Sequence, residues 1–313
     1  MKKKISIISS AYNEQDNVRE LYTRVKNEMA KHADKYDYEQ IVLDNASTDN
    51  TLNELRKIAS EDKNFKVIVN ARNFGHIRSP YYGMLQCTGD AVIYLASDLQ
   101  DPPELISDFL TKWEEGYKVV LAQKQQSKES ILFFMVRKTY YRLLNLVNDS
   151  GAQLLPNCTG FGLFDKDVIV QLKQLNDPYP YIRGLVCEFG YSHATVPFTQ
   201  PTRKRGLTKN NFYTLYDNAM LGFTNHSKMP LRLAAMGGFA LGLVSLVLSI
   251  VYLLLKLFFW DRFPMGTAPI LLGVLFFSSV QLFFLGILGE YIGAILTQVF
   301  HRPPVVEKER INF

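Results

Sequence analysis

Apolar and polar positions alternate along the first part of the chain in a way that predicts strands and helices in turn. Five strand-like runs and four helical runs follow one another: strands at 5–9, 40–44, 65–70, 91–96 and 118–123, and helices at 14–30, 51–60, 79–87 and 102–115. This alternation implies a mostly parallel, doubly wound α/β sheet. The polar segments that follow the first four strands would then meet at one sheet edge, where such folds bind ligands.

Two segments near the C-terminus are almost purely apolar. Residues 233–255 hold no charged side chain, and residues 267–300 hold only Glu290. A hydrocarbon core of ~30 Å is crossed by roughly 20 apolar residues, so each segment is long enough. Two buried core helices are the alternative, but glycines and aromatic residues on every face would require a very large soluble core. The pattern therefore predicts two transmembrane helices.

Basic residues around these segments predict the orientation of the chain. Between positions 201 and 232 there are six basic residues and one acid, Asp217, and four further basic or histidine residues follow the second segment. This distribution places both termini on the cytoplasmic side. The net charge of +5 suits an anionic membrane surface. No interleaved basic and aromatic pattern points to nucleic acid, and three cysteines without paired spacing fit a reduced compartment.

We divide the chain into four segments on this basis. They are a cytoplasmic domain at 1–210, a juxtamembrane amphipathic segment at 211–230, a two-helix transmembrane domain at 231–300 and a cytoplasmic tail at 301–313. Residues 131–147 are apolar and aromatic with a basic patch, which fits either an ordinary packing helix or a helix lying among the lipid headgroups. Glycines in the two spans are compatible with close helix packing in a homo-oligomer.

The most informative stretch is AVIYLASDLQDPPE at residues 91–104, an apolar run that ends abruptly in polar side chains. Asp98, Gln100 and Asp101 supply hard oxygen ligands at the end of a predicted strand. They indicate a divalent cation that holds a phosphate. The alternative is that the acids cap a helix starting near Pro102.

Seven motifs carry a family resemblance. In chain order they are SSAYNE (9–14), LDNASTDNT (43–51), ARNFGHIRSP (71–80), ASDLQDPPE (96–104), RGL (183–185), RKRGLTK (203–209) and LGILGEYIG (285–293). Together they resemble the family 2 glycosyltransferases that load a sugar onto a polyprenyl phosphate, such as bactoprenol glycosyltransferases and, more distantly, dolichol-phosphate mannose synthases.

The resemblance implies a GT-A type, Rossmann-like fold and inverting transfer of a hexose, from UDP-glucose or UDP-N-acetylglucosamine, to undecaprenyl phosphate. It implies a bacterial cytoplasmic membrane location, with Mg²⁺ or Mn²⁺ as cofactor. The implied nucleotide-sugar-binding residues are Ser10, Tyr12, Glu14, Asp44, Arg72, Ser97 and Asp98. The implied metal ligands are Asp98 and Gln100. The implied catalytic residues are Asp98, Arg183, Arg203 and Lys209, although the basic ones also fit a solvated positive-inside cluster.

Three positions depart from the family pattern. Ala96 replaces the first acid of Asp-x-Asp-x-Gln, Asn45 stands where an aspartate is frequent, and Gly160 replaces the general-base aspartate. A phosphate monoester has a second pKa near ~6 and needs no base at neutral pH, whereas a hydroxyl acceptor does. Glu188 or Asp165 are candidates for a substitute base. The rival functions are transfer to a hydroxyl acceptor, and an impaired membrane scaffold that binds nucleotide sugar.

Overall fold

A mixed sheet with helices on both faces forms the body of the chain, which we describe from a computed structural model. The structure describes residues 2–125, 155, 157–201, 220, 224, 227–258, 267–300 and 302–313. Its strands are β1 (Lys3–Ala11), β2 (Tyr36–Asp44), β3 (Phe65–Asn70), β4 (Ala91–Tyr94), β5 (Val119–Lys124), β6 (Cys158–Asp165), β7 (His193–Phe198) and β8 (Glu307–Ile311). Its helices are α1 (Val18–Ala30), α2 (Thr51–Glu61), α3 (Gly75–Gln86), α4 (Ile106–Glu114), α5 (Lys166–Leu175), α6 (Ile182–Glu188), α7 (Met229–Phe258) and α8 (Thr267–Val299).

The strand order in the eight-stranded sheet is β7-β5-β6-β4-β1-β2-β3-β8. β1 pairs in parallel with β2 and β4, and β2 pairs in parallel with β3. The four carboxyl ends therefore lie at one edge of the sheet, which we call the carboxyl edge. This confirms the predicted doubly wound arrangement of the N-terminal half.

The packing of β1 explains why its sequence is apolar at nearly every position. Ile5 and Ile7 belong to a core cluster that includes residues of α1 and α4, whereas Ile8 belongs to a cluster that includes residues of α3 and α5. Successive side chains of a strand point to opposite faces, and a parallel sheet is covered on both. A continuous apolar run is the consequence.

Three strands were not predicted from the sequence. β6 runs antiparallel to both β4 and β5, and β7 pairs in parallel with β5. The third, β8, comes from the C-terminal segment and pairs antiparallel with β3. Residues 301–313 were interpreted as a separate tail, but Glu307–Ile311 is an edge strand of the main sheet. Asn312 Nδ2 secures its end by donating to the carbonyl oxygens of Ala59 (2.6 Å) and Phe65 (2.8 Å).

The chain leaves and re-enters the sheet at the carboxyl edge. β7 runs in the same direction as β4, so its last residue, Phe198, lies at that edge. β8 is antiparallel to β3, and its first residue, Glu307, is paired with Asn70 at the end of β3. The long apolar helices lie between these two points in the sequence. They are therefore attached to the carboxyl edge of the sheet.

α7 and α8 contain the two candidate membrane spans of the described residues. Met229–Tyr252 and Phe276–Val299 have mean hydropathies of 2.2 and 1.7, and no part of the evaluated window is buried inside the protein. A core helix of a soluble domain would be mostly buried, so the core-helix alternative does not describe them. Gln298 Nε2 in the last turn of α8 donates to Asp177 Oδ1 (2.8 Å), which ties that helix end to the globular part.

A buried glutamate joins three strands on the face of the sheet. Glu39 on β2 is 2% exposed and accepts hydrogen bonds from Lys4 Nζ (2.8 Å), Lys66 Nζ (2.7 Å) and Ser6 Oγ (2.6 Å). Burial alone would raise the pKa of Glu39, but the hydrogen bonds from the two lysines and the hydroxyl groups outweigh it and lower the pKa to about 2. Ionised Glu39 therefore stabilises the fold.

We expect this contribution to depend on pH. It is fully present above the unfolded-state pKa of 4.5 and is lost as the pH falls through about 2. Glu39→Gln should therefore destabilise the protein by about 3 kcal/mol at pH 7, and by progressively less below pH ~4.5. Thermal unfolding of the purified protein at pH 7 and pH 3 measures this difference. Glu61→Gln, at an exposed ion pair with Arg19, is the control, and an equal Glu39→Gln effect at both pH values would contradict the prediction.

Candidate active site

Three loops at the carboxyl edge contain non-glycine residues in the left-handed backbone conformation. Asn13 follows β1 (φ 57°), Ala46 follows β2 (φ 59°) and Leu99 follows β4 (φ 60°). Such a conformation costs about 1–3 kcal/mol and persists only where surrounding contacts enforce it, which is frequent at ligand sites. The three loops are therefore held in specific shapes at the edge where ligands are expected.

Hydrogen bonds connect the loop after β1 to the loop after β2. Asn13 N–H donates to Ser47 Oγ (3.0 Å), and Asn13 Oδ1 accepts from Thr48 N–H (2.8 Å). Glu14 N–H donates to Thr51 Oγ1 (2.9 Å) at the start of α2. These contacts explain the left-handed backbone conformation of Asn13. They also fix the loop at the carboxyl edge.

The structure brings most of the predicted nucleotide-sugar-binding residues to this edge. Ser10 lies near the end of β1, Tyr12 and Glu14 lie in the loop after it, and Asp44 ends β2 directly beside Ala11. Asp44 is 1% exposed and accepts from Ser47 N–H at 3.3 Å. Burial raises the pKa of Asp44.

Asp49, by contrast, has a local structural role. Its Oδ1 accepts from Thr51 N–H (3.0 Å) and from the Thr51 hydroxyl (2.5 Å). A side chain that accepts the N–H two residues further along forms an Asx turn, and this turn comes directly before α2, whose N-cap residue is Asn50. Asp49 therefore shapes the turn that leads into α2.

The loop after β4 is closed by its own carboxylates. Asp101 Oδ2 accepts from Ala96 N–H (2.9 Å), and Asp98 Oδ1 accepts from Gln100 N–H (3.1 Å). Asp101 is buried, and that burial raises its pKa to about 6. Asp101 therefore shapes the loop, while the half-buried Asp98 keeps its other carboxylate oxygen free of hydrogen bonds to the described residues.

The donor set around Asp98 fits a cation that is shared with a phosphate. Ser97 is 2% exposed, and its Oγ has no hydrogen-bond partner among the described residues. Those residues also contain no group of three or more His, Cys, Asp or Glu side chains that could hold a metal by themselves. Mg²⁺ usually keeps several waters and is bound through one or two carboxylates plus substrate phosphates. Asp98 and Gln100 together match that requirement.

Asn45, which departs from the family pattern, joins the ends of β2 and β3. Its side chain is 3% exposed. Its Oδ1 accepts from Asn70 Nδ2 (3.0 Å) and Phe74 N–H (2.9 Å). Its Nδ2 donates to Asn73 Oδ1 (2.9 Å) and to Gly75 O (3.2 Å). The site therefore uses both the donor and the acceptor of an amide, and an aspartate would supply only acceptors.

Arg72 lies in the loop after β3, which is fixed by the hydrogen bonds of Asn45. Its Nη1 donates to Asn73 O (3.2 Å), and its guanidinium carbon lies 4.1 Å from the centre of the Phe74 ring. The side chain is exposed at the carboxyl edge. This position agrees with contact to a donor phosphate, which stays a prediction.

Gly160 on β6 lies beside Arg183 on α6. Gly160 lies on β6 close to Gly162, which pairs with Tyr94 at the end of β4, so Gly160 is at the carboxyl edge. It has φ +93°, and a Cβ atom built there would be 3.8 Å from Arg183 Nε. The position at which the family resemblance implies a general-base aspartate is therefore occupied by a glycine beside an arginine.

Asp165 cannot replace that aspartate. It ends β6, which is antiparallel to β4, and it pairs with Ala91 at the start of β4. It therefore lies at the opposite edge of the sheet, where its Oδ2 accepts from Trp113 Nε1 (2.8 Å). The prediction of Asp165 as a substitute base is wrong, because the antiparallel direction of β6 was not foreseen.

The other predicted catalytic residues are only partly described. Glu188 ends α6, the seven-residue helix that carries Arg183, and its role as a base stays a prediction. Arg203 and Lys209 lie outside the described residues, as do the predicted headgroup helix at 131–147 and most of the juxtamembrane segment.

Residues 6–171 match the protein family described as Glycosyl transferase family 2. The chain belongs to this family and is a glycosyltransferase. It is 34% identical over 300 residues to the uncharacterized glycosyltransferase YkcC of Bacillus subtilis, covering 95% of this chain and 91% of the relative. It is 28% identical over 306 residues to the bactoprenol glucosyl transferase of Shigella phage SfV, covering 97% and 98%. Mannosyl-3-phosphoglycerate synthase from Rubrobacter xylanophilus aligns with 75% of each chain at 17% identity, with a TM-score of 0.48.

The Asn45 contacts lead to a prediction for this glycosyltransferase. Asn45→Asp removes two donors and places a carboxylate against Asn73 Oδ1 and Gly75 O. Each lost hydrogen bond is worth about 0.5–1.5 kcal/mol, and the loop that carries Arg72 loses its fixed position. We expect the KM for the nucleotide sugar to rise about tenfold, with a smaller change in kcat. Initial-rate kinetics measure both.

The matched control is Asn50→Asp, which changes an exposed asparagine at the start of α2 in the same way. It should leave the KM for the nucleotide sugar within twofold of the wild-type value. An unchanged KM in Asn45→Asp would show that the amide contacts do not position the loop for substrate binding.

Proposed function

We propose that this glycosyltransferase transfers a hexose from a nucleotide sugar to a polyprenyl phosphate, with inversion at the anomeric carbon. The observation that carries the proposal is the pair Gly160 and Arg183, which puts a cation where a general base would stand. A phosphate monoester, with a second pKa near ~6, is ionised at neutral pH and needs no base. A hydroxyl group would need one.

The relatives support the same acceptor. The chain matches bactoprenol glucosyl transferases over nearly the full length of both proteins, including the two apolar helices. Bactoprenol is a polyprenol, and these relatives are named for glucosyl transfer. We therefore propose UDP-glucose, or UDP-N-acetylglucosamine, as the donor.

The donor would bind along the carboxyl edge. Asp44 accepts a hydrogen bond from the uracil N3–H, and the loop with Ser10, Tyr12 and Glu14 lines the uridine. Asp98 and Gln100 would hold Mg²⁺ or Mn²⁺, which would supply positive charge beside the diphosphate. Ser97 Oγ is buried beside Asp98 and has no hydrogen-bond partner among the described residues, so it is available to hydrogen-bond the nucleotide sugar.

The reaction requires one displacement. A phosphate oxygen of the acceptor forms a bond to the anomeric carbon, and the bond from that carbon to the nucleoside diphosphate breaks. The bonding electrons leave with the diphosphate, and no proton has to be removed from the nucleophile. Arg183, Arg203 and Lys209 bind the negative charge of the acceptor and of the leaving group.

We propose that α7 and α8 cross the membrane as a hairpin, with the carboxyl edge facing the bilayer. The chain passes from β7 into this region and returns to the same sheet as β8, so both ends of the hairpin lie on the same side. Basic residues on both flanks favour the cytoplasm for that side. A lipid-borne phosphate would then reach the sheet edge directly.

Membranes from cells that produce the protein can test this proposal. Incubation with radiolabelled UDP-glucose or UDP-N-acetylglucosamine and undecaprenyl phosphate should give label in the organic extract, at a level set by the added lipid phosphate. Membranes from cells without the protein are the control. If neither donor labels the lipid, or if labelling does not depend on lipid phosphate, the proposal is wrong.

A further inference from the structure

Arg78 is held at the carboxyl edge by the residue that follows it. It lies in the first turns of α3, next to the fully buried Ser79. Ser79 Oγ accepts hydrogen bonds from Ser10 Oγ (3.2 Å) and Asn70 Nδ2 (3.1 Å), at the ends of β1 and β3. The backbone of Arg78 is therefore fixed at the level where β1 and β3 end.

The guanidinium of Arg78 has a stacking partner but no acid among the described residues. Its central carbon lies 5.1 Å from the centre of the Tyr179 ring, and its Nε has no hydrogen-bond partner in the described chain. Arg24 and Arg56, in contrast, form ion pairs with glutamates. Nε is buried while the side chain as a whole is half-buried. Stacking does not occupy the in-plane N–H groups of a guanidinium, and their fork geometry suits bidentate binding of a phosphate.

Tyr179 connects Arg78 to the end of the second apolar helix. Asp177 Oδ1 accepts from both Tyr179 N–H (2.9 Å) and Gln298 Nε2 (2.8 Å). Gln298 is in the last turn of α8. Arg78 and Tyr179 thus lie between the carboxyl edge and the helix end that would emerge from the bilayer. Both donors bind the same carboxylate oxygen of Asp177.

We propose that Arg78, stacked on Tyr179, binds the phosphate of the lipid acceptor before and during transfer. The inference rests on the proposed function. The ligand is a phosphate monoester dianion, and its lipid chain would extend along the end of α8. A donor diphosphate carries the same chemistry, but the Tyr179 side of Arg78 is joined to α8, which favours the lipid as the source. The acceptor phosphate would then bind first to Arg78 of α3.

Steady-state kinetics of the purified full-length protein distinguish the two sources. Arg78→Gln should raise the KM for undecaprenyl phosphate at least tenfold and leave the KM for the nucleotide sugar within twofold. Arg78→Lys keeps the charge but not the planar fork, so it should raise the acceptor KM by a smaller factor. Arg56→Gln, at the surface ion pair with Glu309, is the matched control and should change neither KM.

The tyrosine supplies a second measurement. Tyr179→Phe keeps the stacking ring, so it should raise the acceptor KM by less than Tyr179→Ala does. A rise in the donor KM in place of the acceptor KM would assign Arg78 to the diphosphate and overturn the inference. If Arg78→Gln does not fold, Arg78→Lys carries the test, and wild-type constants in it would overturn the inference too. A wild-type protein that does not glycosylate lipid phosphate would refute the proposed function itself.

Discussion

Asp98→Ala is expected to lower the rate of sugar transfer by a hundred- to a thousandfold. Asp98 is the half-buried carboxylate of the loop after β4, and one of its oxygens accepts from Gln100 N–H. The other oxygen accepts no hydrogen bond from the described residues, and in the proposed function it would bind the cation beside the leaving diphosphate. Removing a preorganised charge from the site of charge development has effects of this size. Initial rates of label transfer at saturating donor and acceptor measure it.

Two control variants separate this effect from general damage. Asp108→Ala removes an exposed carboxylate from α4 and should retain wild-type activity. Glu188→Gln should retain most activity, because no base is required for an ionised acceptor. Full activity in Asp98→Ala would exclude Asp98 as the cation ligand, and loss of activity in Glu188→Gln would identify Glu188 as a base.

Gly160→Asp is expected to lower transfer to a polyprenyl phosphate by ten- to a hundredfold. A side chain at this position meets Arg183, whose Nε would be 3.8 Å from the new Cβ. The introduced carboxylate would pair with that guanidinium and repel the dianionic acceptor. The KM for the acceptor should rise more than the KM for the nucleotide sugar.

Gly160→Asn is the matched control, because the backbone at this position has φ +93° and both substitutions carry strain there. Asparagine has the shape of aspartate without its charge, so the ratio of the two variants reports the charge alone. Equal activities of Gly160→Asp and Gly160→Asn would mean that Arg183 does not act on the acceptor.

Local sequence patterns predicted the N-terminal half of the fold well. The apolar runs of β1 to β4 and the polar residues at their ends were sufficient to predict a shared edge with Asp44 and Asp98 on it. These features depend on residues close together in the sequence. The periodicity of each segment determines them directly.

Long-range pairings could not be predicted in this way. Four of the five residues of β8 (Glu307–Ile311) are charged, and the strand is held in the sheet by pairing with β3 and by the hydrogen bonds of Asn312. Its sequence, EKERI, has no strand-like alternation of apolar residues. The antiparallel direction of β6 was also not evident from its sequence. Asp165 was therefore predicted as a candidate base at the carboxyl edge, whereas it lies at the opposite edge of the sheet.

The hydrogen bonds of the Asn45 side-chain amide were not predicted from the sequence, for a different reason. The side chain of Asn45 makes its hydrogen bonds to residues 70–75, at the end of β3 and in the loop after it, which are about 25 to 30 positions away in the sequence. One signal was present in the sequence: asparagines at positions 45, 70 and 73 follow or end adjacent predicted strands. Amides clustered at neighbouring strand ends are a pattern worth examining for loop-positioning networks.

The central claim is that the acceptor arrives already ionised, and one comparison tests it most directly. The purified protein is given the same nucleotide sugar with undecaprenyl phosphate or with undecaprenol, and kcat/KM is determined for each acceptor at neutral pH. We predict a value at least a thousandfold higher for the phosphate, since the alcohol needs a base that the position of Gly160 does not supply. Comparable values for the two acceptors would contradict the account.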